Sequence, residues 1–312
     1  MTSLAAAQFS QRVQGPVFPI LTLFNKDGTV DETGIADYVE FLISQGVKNV
    51  MCTVGSSRYD VLTSDEMMRV NQIVVEVAAK RAVTMVTTPS YGPTSSAIQF
   101  AKHAAKIGAD AILGLYPDRY YGDDTIVDFF KAITASADIG VMVHEMPIRA
   151  GRSMEAPSAQ YSPALLEKIL NIDNMVGLKE ESGDAKLIEH INSTYSDKVA
   201  VIGGRGGMNA YKQATSFGQK SYLVGIGNFD PKLEINFANH VRNVELEAAD
   251  DIINNIEKPF FDVAVKLGWH ISLKAAMNIK GLCQPYERHP MRGLTTLEQA
   301  ELLALMKKLN LV

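Results

Sequence analysis

A lysine stands at the end of an apolar segment, where its amine could act as a nucleophile. The segment NMVGLKEESGD covers residues 174–184, and Lys179 directly follows Met-Val-Gly-Leu. An amine that is partly withdrawn from water at the end of a buried strand is freed to attack a carbonyl group and form an imine. The alternative is a lysine that extends from the strand end into solvent. Taken alone, the segment leaves both interpretations open.

Charged residues close to this lysine could assist such chemistry. Alternate residues of a strand share one face, so Glu181 is expected on the same side as Lys179, and Glu180 on the side of the helix layer. Glu181 could pair with the lysine, act as a general acid or base, hold a polar group of the substrate, or turn to solvent. Arg205 lies among four glycines before a helical segment, which suggests an anion pocket, with a flexible glycine turn and a solvated arginine as the alternative.

The elements that must position these residues are short apolar runs that alternate with amphipathic segments. The runs cover residues 15–24, 48–55, 82–89, 109–117, 139–147, 174–180, 197–204 and 220–227. Runs of this length, rich in Val and Ile, are typical of strands buried on both faces of a parallel sheet. Eight strand-then-helix units predict an α/β fold, a (β/α)8 TIM barrel. A doubly wound open sheet is the alternative, but the first turn, NKDGTVDE, lacks the Gly-rich nucleotide signature.

The pattern after residue 230 predicts a helical appendage to one domain. We expect an N-terminal arm over residues 1–14, the barrel over 15–230, and the last barrel helix with a C-terminal helical extension over 231–312. Active sites of such barrels lie where the strands end, and Lys179 occupies such an end.

Composition favours small molecules as partners. The chain has 312 residues, 46% of them hydrophobic, and a net charge of -5, so nothing predicts binding to nucleic acid or to an anionic membrane. Cys52 and Cys283 are too few for a disulfide framework or a zinc cluster. The N-terminus lacks the features of a signal peptide, and no apolar run reaches about 18 residues. We therefore expect a soluble, cytoplasmic protein.

Four motifs together resemble the dihydrodipicolinate synthase and N-acetylneuraminate lyase family. They are TVGSSRYDVLTSDE (53–66), HEMPIRAG (144–151), GLKEESGD (177–184) and GIGNFDP (225–231). The resemblance covers almost the whole chain and implies a (β/α)8 barrel, commonly a tetramer, that holds pyruvate or a related 2-oxo acid as a lysine imine. It makes Lys179 the imine lysine and implies that neither a metal nor an organic cofactor is needed.

Two of these motifs depart from the family pattern. The family's Thr-Thr pair, which holds the carboxylate and relays protons, corresponds to Thr53 and Val54, and a valine offers only its backbone N–H. Gly55 is retained, as expected of a tight turn. His144 replaces the tyrosine that moves protons, and its imidazole could keep that role with an unperturbed pKa near 6.5 instead of about 10. A packed histidine in a site of altered activity is the alternative.

The resemblance adds further candidates for substrate binding. Arg149 corresponds to the arginine that grips the carboxylate of the second substrate, with an ordinary loop salt bridge as the alternative. Gly204 and Arg205 lie where the sialic acid lyases carry acidic residues for sugar hydroxyls. Tyr120 is expected to match the tyrosine that reaches the neighbouring subunit's site, although Tyr116 and Tyr121 stand close by.

These residues predict a Schiff-base-forming lyase, aldolase or dehydratase that acts on pyruvate or a longer 2-oxo acid. The second substrate is expected to be acidic or polar, and the protein a homo-oligomer, either tetramer or dimer. Dihydrodipicolinate synthase proper is a less favoured alternative, because Val54 and His144 interrupt its proton relay. A non-catalytic relative that binds a 2-oxo acid is the other alternative.

Overall fold

The computed structural model describes residues 4–117, 119–147 and 161–312. Eight parallel strands in chain order form a closed barrel with helices between them, which confirms the predicted fold class. The strands are β1 (Gly15–Ile20), β2 (Asn49–Cys52), β3 (Val83–Thr87), β4 (Ala111–Gly114), β5 (Gly140–Glu145), β6 (Met175–Glu180), β7 (Ala200–Gly203) and β8 (Ser221–Leu223). Each lies inside one of the eight predicted runs and is shorter than that run.

Helices follow the strands as the amphipathic segments predicted. The helices are α1 (Leu4–Arg12), α2 (Glu32–Ser44), α3 (Ser64–Ala78), α4 (Thr94–Ile107), α5 (Asp123–Thr134), α6 (Pro163–Leu170), α7 (Ala185–Tyr195), α8 (Gly207–Ala214), α9 (Pro231–Arg242), α10 (Leu246–Ile252), α11 (Lys258–Leu267), α12 (Trp269–Ile279) and α13 (Thr296–Lys308). No helix in the described part of the chain is long and apolar enough to cross a membrane.

Polar residues fix where the helices begin. Helix α3 begins at a capping box, in which the Thr63 hydroxyl accepts the Glu66 N–H and the Glu66 carboxylate accepts the Thr63 N–H. Helix α7 begins at Asp184, whose carboxylate accepts the N–H groups of Lys186 and Leu187. The Ser-Gly-Asp turn after β6 therefore ends in a helix cap, and this cap fixes the path of the chain just beyond Lys179.

The chain divides into two compact units. The first comprises the residues up to Val17 together with Val83–Leu223, and the second comprises Phe18–Ala82 together with Val224–Val312. The first unit contains β3 to β8, and the second contains β2 and the five C-terminal helices.

The predicted N-terminal arm contains a helix that belongs to the first unit. Helix α1 contacts β6 and β7 and buries Ala6 and Phe9. The Ser10 hydroxyl donates to the carbonyl oxygen of Val199 at 3.2 Å. The arm therefore adds to the core of this unit.

In the second unit, the C-terminal helices are joined by a non-helical segment. Residues 280–295 connect α12 to α13 and carry Glu287 and Arg288. Arg288 binds the Glu66 carboxylate with both terminal nitrogens, at 2.7 Å each. The segment thus attaches the C-terminal extension to helix α3.

Candidate active site

Lys179 lies in the first unit, next to the end of β6. In the parallel register it pairs with His144 of β5 on one side and with Ile202 of β7 on the other. Its side chain is buried, with 3% of its surface exposed. The sequence Met-Val-Gly-Leu before it forms the buried strand that carries the amine into this position.

Three side chains meet at the amine, and they define the Lys179 cluster: Lys179, His144 and Glu181. The Lys179 Nζ lies 2.5 Å from Oε2 of Glu181 and 3.1 Å from Nε2 of His144. The same Oε2 lies 2.6 Å from the His144 Nε2. Glu181 therefore shares a face with Lys179, as strand alternation predicts, and turns towards the amine instead of out to solvent.

Electrostatics set the charges in this cluster. Burial would raise the pKa of Glu181, but the Lys179 charge and the hydrogen bond with His144 outweigh it and hold the pKa at about 2. Burial, reinforced by the Lys179 charge, lowers the pKa of His144 to about 4, although Glu181 acts in the opposite direction. Near neutral pH the cluster therefore contains a carboxylate and a neutral imidazole. Burial thus moves the pKa of His144 well below its unperturbed value near 6.5.

One atom of the cluster has an unused hydrogen-bonding capacity. His144 is 7% exposed, and among the described residues its Nδ1 has no hydrogen-bond partner. The Nε2 hydrogen bond to Glu181 favours the tautomer with hydrogen on Nε2, so Nδ1 is an acceptor. This buried nitrogen is therefore an unused acceptor of the Lys179 cluster.

The loop after β7 passes close to the amine at Gly204. A Cβ placed on Gly204 would lie 2.9 Å from the Lys179 Nζ and 2.8 Å from the Glu180 carbonyl oxygen. Any larger residue at this position would press on the nucleophile. Gly204 thus belongs beside Lys179, and Arg205 follows it as an exposed side chain that packs against Gly183.

Sequence reasoning missed Glu145 as part of this region. It ends β5 next to His144, pairs in register with Glu180, and is completely buried. Strand alternation was the available signal, because it places both residues on the face opposite to His144 and Lys179.

The predicted carboxylate-binding loop follows β2 in the second unit. Thr53 adopts a left-handed conformation with φ 55°, which is costly for a β-branched residue. Its Oγ1 lies 2.8 Å from the carbonyl oxygen of Cys52 and 2.8 Å from Oδ1 of Asn71. Val54 is buried and precedes a short 3-10 turn that begins at Gly55. The hydroxyl of Thr53 is therefore already engaged by acceptors within its own unit.

Gly55 does not have the left-handed conformation that would make a glycine necessary in a tight turn. Its φ is not among the positive values, and a Cβ there would be 3.9 Å from the nearest atoms, on His270 and Tyr59. The left-handed positions of this loop are Thr53 and Arg58 instead, so the turn itself does not require the glycine.

Arg58 was also missed, and it forms a buried cluster with the C-terminal extension. The Arg58 cluster consists of Arg58, Glu287 and Lys274. The Arg58 Nε and Nη2 bind the two carboxylate oxygens of Glu287 at 3.0 and 2.6 Å, and the guanidinium also donates to the carbonyl oxygens of Ser56 and His270. The Lys274 Nζ lies 3.3 Å from Glu287 and donates to the carbonyl oxygen of Tyr286. These bonds fix the loop after β2 to the extension.

Arg149 and Tyr120 are the remaining predicted site residues. Arg149 lies outside the described residues. The Tyr120 hydroxyl donates to Oδ1 of Asp123 at 2.8 Å within its own chain, and its predicted role at a subunit contact stays a prediction. Within the described residues no three His, Cys, Asp or Glu side chains are grouped so that they could hold a metal ion.

Comparisons with known proteins show the family. The model of the dihydrodipicolinate synthetase family matches residues 12–309. A 4-hydroxy-tetrahydrodipicolinate synthase from Methanosarcina mazei is 25% identical over 96% of this chain and 99% of its own length. A probable 5-dehydro-4-deoxyglucarate dehydratase from Paracidovorax citrulli is 28% identical over 94% of both chains.

Solved structures share the fold. The dihydrodipicolinate synthase of Oceanobacillus iheyensis superimposes with a TM-score of 0.85 and 21% identity, over 98% of this chain and 100% of that one. The N-acetylneuraminate lyase of Fusobacterium nucleatum gives a TM-score of 0.83 with 16% identity, over 95% and 99%. Because its family model covers nearly the whole length, this chain belongs to the dihydrodipicolinate synthetase family.

Proposed function

We propose that the protein is a lyase that binds pyruvate or a longer 2-oxo acid as an imine on Lys179. The observation that carries this proposal is the buried Lys179 amine in direct contact with the Glu181 carboxylate and the His144 imidazole. Only a neutral amine attacks a carbonyl, and a carboxylate at 2.5 Å is placed to accept the ammonium proton.

The chemistry would proceed in three steps. The Lys179 ammonium gives a proton to Glu181, the amine attacks C2 of the 2-oxo acid, and the resulting carbinolamine loses water to give an iminium ion. The iminium then accepts the electron pair released when a base removes a C3 proton or when the C3–C4 bond breaks, which gives an enamine. In a dehydration the enamine expels the C4 hydroxyl group as water with a proton from an acid, and after a cleavage it takes a proton at C3; both restore the imine. Hydrolysis of the final imine returns the amine and the product.

Glu181 and His144 are the groups available for the proton transfers. Glu181 lies 2.5 Å from the amine, so it is the nearest carboxylate for the proton that imine formation releases. Its pKa of about 2 makes it a weak base in the resting site, and its basicity rises once the Lys179 charge that lowers this pKa is lost. His144 contacts both Lys179 and Glu181 through Nε2, which places its imidazole beside a proton exchanged between them. The carboxylate-binding role that the family resemblance implies for Thr53, Val54 and Gly55 stays a prediction.

Arg205 supports an acidic or strongly polar second substrate or distal group. Its exposed guanidinium forms no ion pair within the described residues and follows Gly204 directly. The related dehydratases act, by their names, on 5-dehydro-4-deoxyglucarate, whose distal carboxylate is a group of this kind. Binding of such an acidic group by Arg149 also stays a prediction.

Dehydration or aldol cleavage fits this site better than dihydrodipicolinate synthesis. The carboxylate of Glu181 next to the amine offers a base for a C3 proton, whereas Val54 and His144 replace the hydroxyls of the synthase relay. A non-catalytic protein that only binds 2-oxo acids is the remaining alternative. A protein of that kind would form an imine with a 2-oxo acid but would not convert it to a product.

Borohydride trapping tests the proposal. The native protein is incubated with pyruvate and with hydroxylated 2-oxo acids, reduced, and examined by intact mass and peptide mapping. We expect an adduct on Lys179, none in Lys179→Arg, and an unchanged adduct in the control Lys186→Arg, because Lys186 is exposed on α7. An adduct on another lysine, or none with any 2-oxo acid, contradicts the proposal.

A further inference from the structure

A cavity of about 340 Å³ lies in the first unit, where strand β6 begins. Met175, the first residue of β6, lines it together with Leu170, Val199 and Ala6 of helix α1. Lys179 lies near the other end of the same strand, and none of the described lining residues belongs to the Lys179 cluster. Pockets that bind small molecules start at about 300 Å³, so this cavity has room for a small ligand with an apolar part.

Acidic and basic side chains line different sides of the cavity. Glu167 belongs to α6 and Asp173 to the turn after it, and we call these two residues the α6 wall. His190 and Tyr195 belong to α7 and Lys198 to the turn after it, and we call these three the α7 wall. Among the described residues, none of the four ionisable side chains Glu167, Asp173, His190 and Lys198 forms an ion pair or a side-chain hydrogen bond. Both kinds of charge therefore remain available to a ligand.

The α7 wall also carries a buried hydroxyl without a partner. Tyr195 is 7% exposed, and its hydroxyl forms no hydrogen bond within the part of the chain that the structure describes. Its ring meets the His190 ring edge to face, with centroids 6.1 Å apart, and the Lys198 Nζ lies 5.7 Å from its centroid. Burial, then the charge of Glu167, raises the pKa of Tyr195, so the hydroxyl keeps its proton and is a donor. Buried tyrosine hydroxyls usually have a partner, so this one marks a place for an acceptor.

We propose that this cavity binds a small ω-amino acid, whose carboxylate lies on the α7 wall and whose ammonium group lies on the α6 wall. The carboxylate accepts the Tyr195 hydroxyl and faces the positive charge of Lys198, and the ammonium group is balanced by Glu167 and Asp173. The methylene chain of the ligand lies against the apolar lining residues.

The charges of the two walls select against other small ions. An anion alone would face two unpaired carboxylates, and a cation alone would face the Lys198 ammonium. An α-amino acid carries both charges on one carbon, whereas the acidic and basic groups of the cavity are too far apart to pair with each other. A ligand with its charges at opposite ends of a short chain matches both walls.

Isothermal titration calorimetry of the full chain tests the ligand class. The probes are 3-aminopropanoate, 4-aminobutanoate and 5-aminopentanoate, with butanoate, butylammonium and the α-amino acid alanine for comparison. We expect at least one ω-amino acid to bind, and the three comparison compounds to bind at least about tenfold more weakly, because each loses contacts with one wall. Binding of no ω-amino acid at millimolar concentration, or equal binding of alanine or butanoate, overturns the proposal.

Variants of each wall locate the site. Tyr195→Phe removes only a hydroxyl group and should weaken binding of the best ω-amino acid about tenfold, and Glu167→Gln, at an exposed position of α6, should weaken it by a similar factor. The control Glu189→Gln, exposed on α7 and outside the cavity, should keep the native affinity. Native affinity in both Tyr195→Phe and Glu167→Gln would overturn the assignment to this cavity. The titrations need no 2-oxo acid, so a failure to trap an imine on Lys179 would leave their result unchanged.

Discussion

The Lys179 cluster and the Arg58 cluster both bury a cation against a glutamate, yet they are built for opposite purposes. In the first, one oxygen of Glu181 serves both Lys179 and His144, and the Glu181 side chain is still 31% exposed. In the second, the Arg58 side chain is 0% exposed and both oxygens of Glu287 are bound in a fork. We call the Lys179–Glu181 pair the open pair, because it is partly exposed and one carboxylate oxygen serves two partners. We call the Arg58–Glu287 pair the closed pair, because it is buried and the guanidinium binds both carboxylate oxygens.

The difference lies in whether the cation can lose its proton. A guanidinium stays charged, and four hydrogen bonds occupy Arg58. A lysine amine can give its proton to the neighbouring carboxylate, and Gly204 places no side chain against it. The comparison indicates that a reactive ion pair contains a cation that can lose its proton, whereas a structural one holds a permanently charged cation in a full set of hydrogen bonds.

The largest effect that separates the two clusters is the loss of the lysine amine. Lys179→Arg keeps a cation for Glu181 but cannot form an imine, so turnover should fall by about 10⁴-fold or more while the fold is retained. Steady-state kinetics with the substrate from the trapping screen, together with circular dichroism, measure both. A rate within tenfold of the native protein would show that the open pair is not the reactive one.

The second effect is on stability, at the closed pair. Arg58→Met leaves Glu287 buried without its fork, and the loss of one partner of a buried ion pair costs about 3–5 kcal/mol of unfolding free energy. The double variant Arg58→Met/Glu287→Met should recover part of this loss, because Lys274 is then the only member of the cluster left buried without its carboxylate partner. Urea unfolding gives the values.

The matched control for this effect is a surface pair. Arg69 and Glu32 also form a fork, but both side chains are nearly half exposed, so Arg69→Met should cost no more than about 1 kcal/mol. Equal losses for Arg58→Met and Arg69→Met would refute the structural role of the closed pair.

The two clusters also differ in how far the sequence predicted them. Strand alternation placed Glu181 on the face of Lys179, and the apolar run before Lys179 predicted its strand, because both depend on local periodicity. Family resemblance supplied His144. The same periodicity was sufficient to place Glu145 beside Glu180, once the two strands are known to be neighbours.

Long-range partners explain what the sequence left open. Glu287 pairs with Arg58 across 229 positions, and no local pattern connects them. The left-handed conformations of Thr53 and Arg58 were equally hidden, since neither residue type favours positive φ. The depressed pKa of His144 follows from its burial and from the charge of Lys179, which only the three-dimensional structure reveals.

The smallest expected effect is on the way the unfolding free energy varies with pH. Glu145 and His144, both in the first unit, act on it in opposite directions. The pKa of Glu145 is raised from 4.5 to about 7, so between these values the folded protein holds a proton that the unfolded chain has released. Its contribution to stability is therefore lost as the pH rises through this range. The pKa of His144 is lowered from 6.5 to about 4, so here the unfolded chain binds the extra proton, and stability is lost as the pH falls from 6.5 to 4.

Unfolding free energies of the native protein, Glu145→Gln and His144→Asn, measured between pH 4.5 and 6.5, test these signs. Relative to the native protein, Glu145→Gln should gain stability with rising pH and His144→Asn should lose it, each by roughly 1 kcal/mol per pH unit. The Arg58 cluster should contribute nothing in this range, because burial lowers the pKa of Lys274 only to about 8, so that group acts between about 8 and 10.5. Two slopes of the same sign would contradict the charge assignment of the Lys179 region.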